Sequence, residues 1–149
     1  MTAPLAISFD VACPPARAFD VWTTRIATWW PTDHSVTQDP DLTVVLEEGV
    51  GGRIYERTVG GDEYDWGVVT VWEPPGKLAY QWHLGRDAAD ATDVEIRFTA
   101  LGPADTRVEI LHAGWERLGS SADTWRERNE IGWTTLLPHF VVALGAGGA

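Results

Sequence analysis

The chain has 149 residues, 44% of them hydrophobic and 22% charged, with nine tryptophans, one cysteine and a formal net charge of -11. That length suits one domain with one core, and the composition excludes a disordered or fibrous chain. The negative charge argues against phosphate backbones and anionic bilayers as partners, and Cys13 alone excludes an internal disulfide or a thiolate metal cluster.

A lone cysteine fits a reducing compartment, and MTAPLAISFD at the N-terminus lacks the basic and apolar regions of a signal peptide. No apolar run approaches the roughly 20 residues of a membrane-spanning helix. The expectation is a cytoplasmic protein with neither nucleic acid nor a membrane as partner. The nine tryptophans suggest a thick aromatic core or an aromatic-lined cavity.

In chain order, Leu5, Ile7, Phe9 and Val11 alternate with smaller or polar residues and predict a first strand over Leu5 to Ala12. Pro14 and Pro15 then suit a helix start. Phe19, Trp22, Ile26 and Trp29 follow at helical spacing until Pro31.

From Asp41 to His112 the pattern is that of strands, cut by turn residues at Glu48 to Gly52, Gly60 to Asp62, Pro74 to Gly76, Gly85 to Ala91 and Gly102-Pro103. This predicts six strands in an antiparallel meander. Leu78, Tyr80, Trp82 and Leu84 share a face, as do Val94, Ile96 and Phe98, and Val108, Ile110 and His112, while the opposite faces are polar. In the strand holding Tyr64, Trp66 and Trp72 both faces are apolar, so its inward side stays open.

The remaining segment, about Ser121 to Leu144, predicts the longest helix, with Trp125, Asn129, Gly132, Trp133, Leu136, Phe140 and Leu144 along one stripe. Pro138 is expected to kink it. The core should span about 5–144, followed by a flexible Gly-rich tail, 145–149. A curved sheet gripping one long helix is an α+β architecture, and one helix does not fill a broad curved sheet, so a cavity is expected between them.

Several strings in order resemble the START-like (SRPBCC) superfamily, specifically its homologues of the heat-shock protein 90 ATPase activator. They are Pro14-Pro15-Ala16-Arg17-Ala18-Phe19 with Trp22, Gly51-Gly52-Arg53-Ile54 and Trp72-Glu73-Pro74-Pro75-Gly76-Lys77-Leu78, then Trp82, His112-Ala113-Gly114-Trp115-Glu116, and Gly132-Trp133 with Leu136. The resemblance implies a helix-grip fold over about Ala6 to Leu144 and, in the members with activity, cyclase- or hydrolase-type chemistry. It implies no one reaction.

Among residues with chemistry, Glu56 shares a face with Ile54, so it either serves the cavity with a partner or a raised pKa, or is a rim carboxylate paired with Arg. His112 is either an acid or base near neutral pH or a hydrogen-bonded structural histidine. Tyr80 and Asn129 interrupt apolar stripes and are either orienting groups in a pocket or satisfied core polar groups. Trp82, Trp133, Leu136 and Phe140 are the expected apolar lining.

His34 follows Trp29-Trp30-Pro31, a segment that the resemblance places near the cavity mouth, and is either part of a gate or a plain surface-loop residue. The histidines show no metal-ligand spacing, and Gly49 to Gly52 lacks the setting of a phosphate loop, so neither metal nor cofactor is expected. The leading expectation is a binding domain for a small apolar or aromatic ligand, monomeric or homodimeric. The alternatives are a cyclase- or hydrolase-type enzyme using Glu56 and His112 as an acid-base pair, and a co-chaperone-like or dimeric protein-interaction module displaying Trp29, Trp30 or Trp115 on an exposed patch.

Overall fold

The computed structural model describes residues 3–146. In order, its elements are β1 (Leu5–Val11), α1 (Pro15–Trp22), β2 (Thr43–Leu46), β3 (Arg53–Arg57), β4 (Glu63–Glu73), β5 (Lys77–Trp82), β6 (Thr92–Gly102), β7 (Asp105–Ala113) and α2 (Ala122–Ala146). The strands make one curved antiparallel sheet, ordered β1-β7-β6-β5-β4-β3-β2. Thus β2 to β7 form the expected meander. The chain's start closes it, because β1 pairs with β7 from Leu5 opposite His112 to Val11 opposite Thr106.

Alternation decides the faces of β5, β6 and β7. Leu78, Tyr80, Trp82, Val94, Ile96, Phe98, Val108, Ile110 and His112 are all buried on the face that the helices cover, while Lys77 and Arg97 reach Glu95 on the wet face. Ile54 and Glu56 of β3 also point inward. Tyr55, between them, is buried on the other face under the guanidinium groups of Arg53 and Arg57.

Two irregularities explain why β4 shows no readable period. Its register slips against β3 between Ile54 and Tyr55, which oppose Gly67 and Asp65, and against β5 between Val69 and Val71. Each extra residue reverses the side that faces the helix, so Trp66, Val69 and Trp72 all face the core. Glycine is required at position 67, where a Cβ would run into the carbonyl of Gln81.

The first helix ends at Trp22 and does not extend to Pro31. The Thr23 hydroxyl and N–H both bond to the Phe19 carbonyl and cap the last turn, and a separate 3-10 turn, Ile26–Thr28, carries the chain on. Trp29 still reaches the core, donating from its indole to the Val21 carbonyl at 2.8 Å.

The long helix begins after a 3-10 segment, Trp115–Ser121, and continues through Pro138 to Ala146, so Gly145 belongs to it. Residues 147–149 of the expected tail lie outside the described residues. Its inner stripe of Trp133, Leu136, Phe140 and Leu144 is buried, with Trp22 packed between Phe140 at 4.9 Å and Trp133 at 6.0 Å. Trp29, Trp30 and Trp115 are buried as well, so the expected exposed aromatic patch is not formed by them. No described helix is long and apolar enough to cross a membrane.

Candidate ligand-binding cleft

A cleft of about 260 Å³ opens between the segment 30–38, the end of β5 and α2. Its walls are largely aromatic: Trp30 from the segment, Trp82 and Leu84 from β5 and its turn, and Trp125, Trp133 and Leu136 from the helix. Polar groups come from Asp33, His34, Gln38, Arg128 and Asn129. Its volume lies just below the roughly 300–1,000 Å³ typical of drug-sized ligand sites, which suits a small ring system.

Of the nine residues singled out from sequence, His34, Trp82, Asn129, Trp133 and Leu136 meet at this cleft. Phe140 is wholly buried in the core among Phe9, Trp22 and Trp29. Tyr80 is buried too, with Trp22 Nε1 directed toward its hydroxyl but outside hydrogen-bond geometry. Burial pushes the phenol well above its ordinary range, so Tyr80 stays neutral.

Glu56 has no exposed surface and no arginine partner. One carboxylate oxygen accepts from the Val36 N–H at 2.6 Å and the Trp66 indole at 2.7 Å. The other accepts from the Thr37 N–H at 3.0 Å and the Thr37 hydroxyl at 2.7 Å. Burial alone would raise its pKa, but the Thr37 hydroxyl, the two backbone donors and Trp66 together hold it below the usual carboxylate value. Glu56 is thus an ionised anchor that fixes the segment carrying His34 against β3.

His112 is the hub of a second network. Trp133 donates from Nε1 to His112 Nδ1 at 3.1 Å, which requires a lone pair there and places the ring proton on Nε2. Nε2 donates to Thr92 Oγ1 at 2.7 Å, and Thr92 passes its own proton to the Trp82 carbonyl at 3.2 Å. Burial and the nearby Arg86 guanidinium push the His112 pKa down to about 3. A neutral, doubly bonded imidazole therefore ties Trp133 on the helix to Trp82 on the sheet, two walls of the cleft.

The expected acid-base pair is not assembled, since Glu56 and His112 belong to separate, saturated hydrogen-bond sets and neither lines the cleft. Asn129 Nδ2 donates back to the Trp125 carbonyl at 2.8 Å, which leaves its oxygen as an acceptor beside the cleft. Arg128 stacks on Trp125, its guanidinium carbon 4.6 Å from the ring centre. Among the described residues no group of three His, Cys, Asp or Glu side chains is placed to hold a metal ion.

Sequence reasoning did not name Trp30, Asp33, Ser35, Gln38, Leu84, Trp125, Arg128 or Gly132 as lining residues. Trp125 and Gly132 had a signal, their place on the apolar helix stripe. Trp30 lies in the segment that the resemblance puts near the cavity mouth, but its place in the wall depends on how that segment is tethered, through its own indole to the His34 carbonyl and through Glu56.

An antiparallel sheet curled about one C-terminal helix, with an aromatic cleft between them, is the helix-grip architecture of START-like proteins. The chain belongs to the family described as Activator of Hsp90 ATPase homolog 1-like protein, whose profile matches residues 12–145.

Among solved structures it is similar to an anthrahydroquino-Gama-pyrone synthase, Txn09, complexed with SUM, with 32% identity over 83% of this chain and 84% of that one, and a TM-score of 0.58. CalC, a self-sacrificing resistance protein from Micromonospora echinospora, is 24% identical with a TM-score of 0.71, covering 99% of this chain and 97% of its own. PFC0360w, an HSP90 activator from Plasmodium falciparum, is 19% identical with a TM-score of 0.71, covering 97% of each chain. The latter two likenesses are of fold. No curated protein matches the chain.

Proposed function

We propose that this protein binds a small, planar aromatic ligand in the cleft, its ring between the indoles and its polar substituents toward Asn129, Gln38 and His34. One observation carries this reading: Gly132 lies inside α2, lines the cleft, and a Cβ there would meet nothing within 4 Å. Neither packing nor a positive φ demands glycine. Glycine in a helix costs roughly 0.5–1 kcal/mol relative to alanine, so the residue gives up stability and leaves the cleft open. The similarity to Txn09, named as a pyrone synthase, supports an aromatic ligand of the same general class.

The test separates these two effects. Gly132→Ala is expected to raise the unfolding free energy by about 0.5–1 kcal/mol in urea denaturation. Gly132→Leu should fold equally well but block the cleft. Titration of dihydroxynaphthalene, followed by tryptophan fluorescence, should saturate with the native protein and give no saturable signal with Gly132→Leu. Equal binding by both proteins would place the ligand elsewhere.

A further inference from the structure

Acidic residues number 22 against 11 basic ones, so a cation without a carboxylate partner owes that to its position and not to any shortage of acids. Seven of the 11 basic side chains pair with a carboxylate at 3.3 Å or less. Arg17 and Arg126 donate to backbone carbonyls, of Ala143 and Leu144 and of Ala3 and Pro4. The remaining two, Arg86 and Arg128, are brought to one indole. Their guanidinium carbons lie 5.2 and 4.6 Å from the ring centre of Trp125, a wall of the cleft.

The two differ in what they have left to donate. The Arg86 Nη groups are spent on the Asp90 and Trp82 carbonyls and the Thr92 hydroxyl, and the Asp90 carboxylate acts on Arg86 only from beyond ion-pair distance. Arg128 is exposed, lines the cleft, and makes no hydrogen bond or ion pair among the described residues. Its neighbours one helical turn away are Thr124, Trp125, Ile131 and Gly132, none of them an acid. Stacking occupies the flat face of the guanidinium. Its edge stays free, and that edge is the planar fork that matches the two oxygens of a carboxylate.

We propose that Arg128 recognises a carboxylate on the ligand, so that the cleft takes an aromatic acid; this rests on the aromatic-ligand reading above. The ring lies among the indoles, the carboxylate accepts from the free edge of Arg128, and the charge of Arg86 on the same indole adds to the attraction. Asp33 is the acid among the residues lining the cleft, and its side chain is 80% exposed, so water screens it. The rest of the protein's negative charge weighs little, because salt at physiological strength screens charges beyond about 8 Å while the guanidinium acts at contact.

The test compares hydroxynaphthoate with its neutral carboxamide, each titrated calorimetrically near neutral pH. The native protein should bind the acid about 10-fold more tightly than the amide, and Arg128→Gln should bring that ratio close to one. Because the ratio is read, a general weakening of the cleft cancels, and the exposed position of Arg128 leaves folding intact. Equal binding of acid and amide by the native protein would overturn the carboxylate site and spare the aromatic reading. A preference that survives in Arg128→Gln would also overturn it, as would a variant that binds neither compound, which would make Arg128 part of the wall only. If the native protein binds neither, both readings fall.

Discussion

Replacing Glu56 by alanine is expected to destabilise the protein by about 3–5 kcal/mol, because a buried, fully bonded charge is removed and its donors are left without an acceptor. The Trp66 indole N–H would stay in the core unpaired, and the Val36–Thr37 backbone would lose its attachment to β3. Glu56→Gln keeps the shape but turns an amide N–H₂ toward groups that are all donors, so a loss of about 2 kcal/mol is expected. Urea denaturation measures both, and a change below about 0.5 kcal/mol for alanine, typical of an ordinary surface substitution, would refute the anchor. Because the folded pKa of Glu56 is depressed, this stability is present above the ordinary carboxylate value of 4.5 and is lost as pH falls through the folded one.

Acidification should act earlier through His112. Its folded pKa, about 3, lies below the ordinary 6.5, so the unfolded chain takes up a proton that the folded protein refuses. The stability His112 contributes is therefore complete above pH 6.5 and declines as pH falls toward 3. The slope is about 1.4 kcal/mol per pH unit, which amounts to roughly 5 kcal/mol across the window. Melting temperatures taken from pH 7 downward should fall for the native protein and much less steeply for His112→Gln, which keeps an acceptor for Trp133. Parallel curves for the two proteins would show that His112 is already charged in the fold.

The strands of the meander and the helix stripe were legible because burial on one side imposes a period, as in Val94, Ile96 and Phe98 or in Trp133, Leu136 and Phe140. Where the backbone breaks that period the reading stopped, as at the two register slips of β4 that turn Trp66, Val69 and Trp72 all inward. The inward direction of Glu56 followed from its parity with Ile54. Its role did not, because its donors come from Val36 and Thr37, about 20 residues away in a segment without periodicity. His112 likewise meets Trp133 from an element 21 residues further on. Parity shows which side chains point inward, and only the tertiary path of the chain decides that His34 reaches the cleft while Glu56 and His112 brace it.

The most direct test of the aromatic cleft is an NMR titration of the nine tryptophan indole N–H resonances with dihydroxynaphthalene. The signals of the lining residues Trp30, Trp82, Trp125 and Trp133 should shift together and saturate, while Trp115, wholly buried and away from the cleft, stays in place. Shifts that spare the lining tryptophans, or no shifts at ligand saturation, would contradict the account.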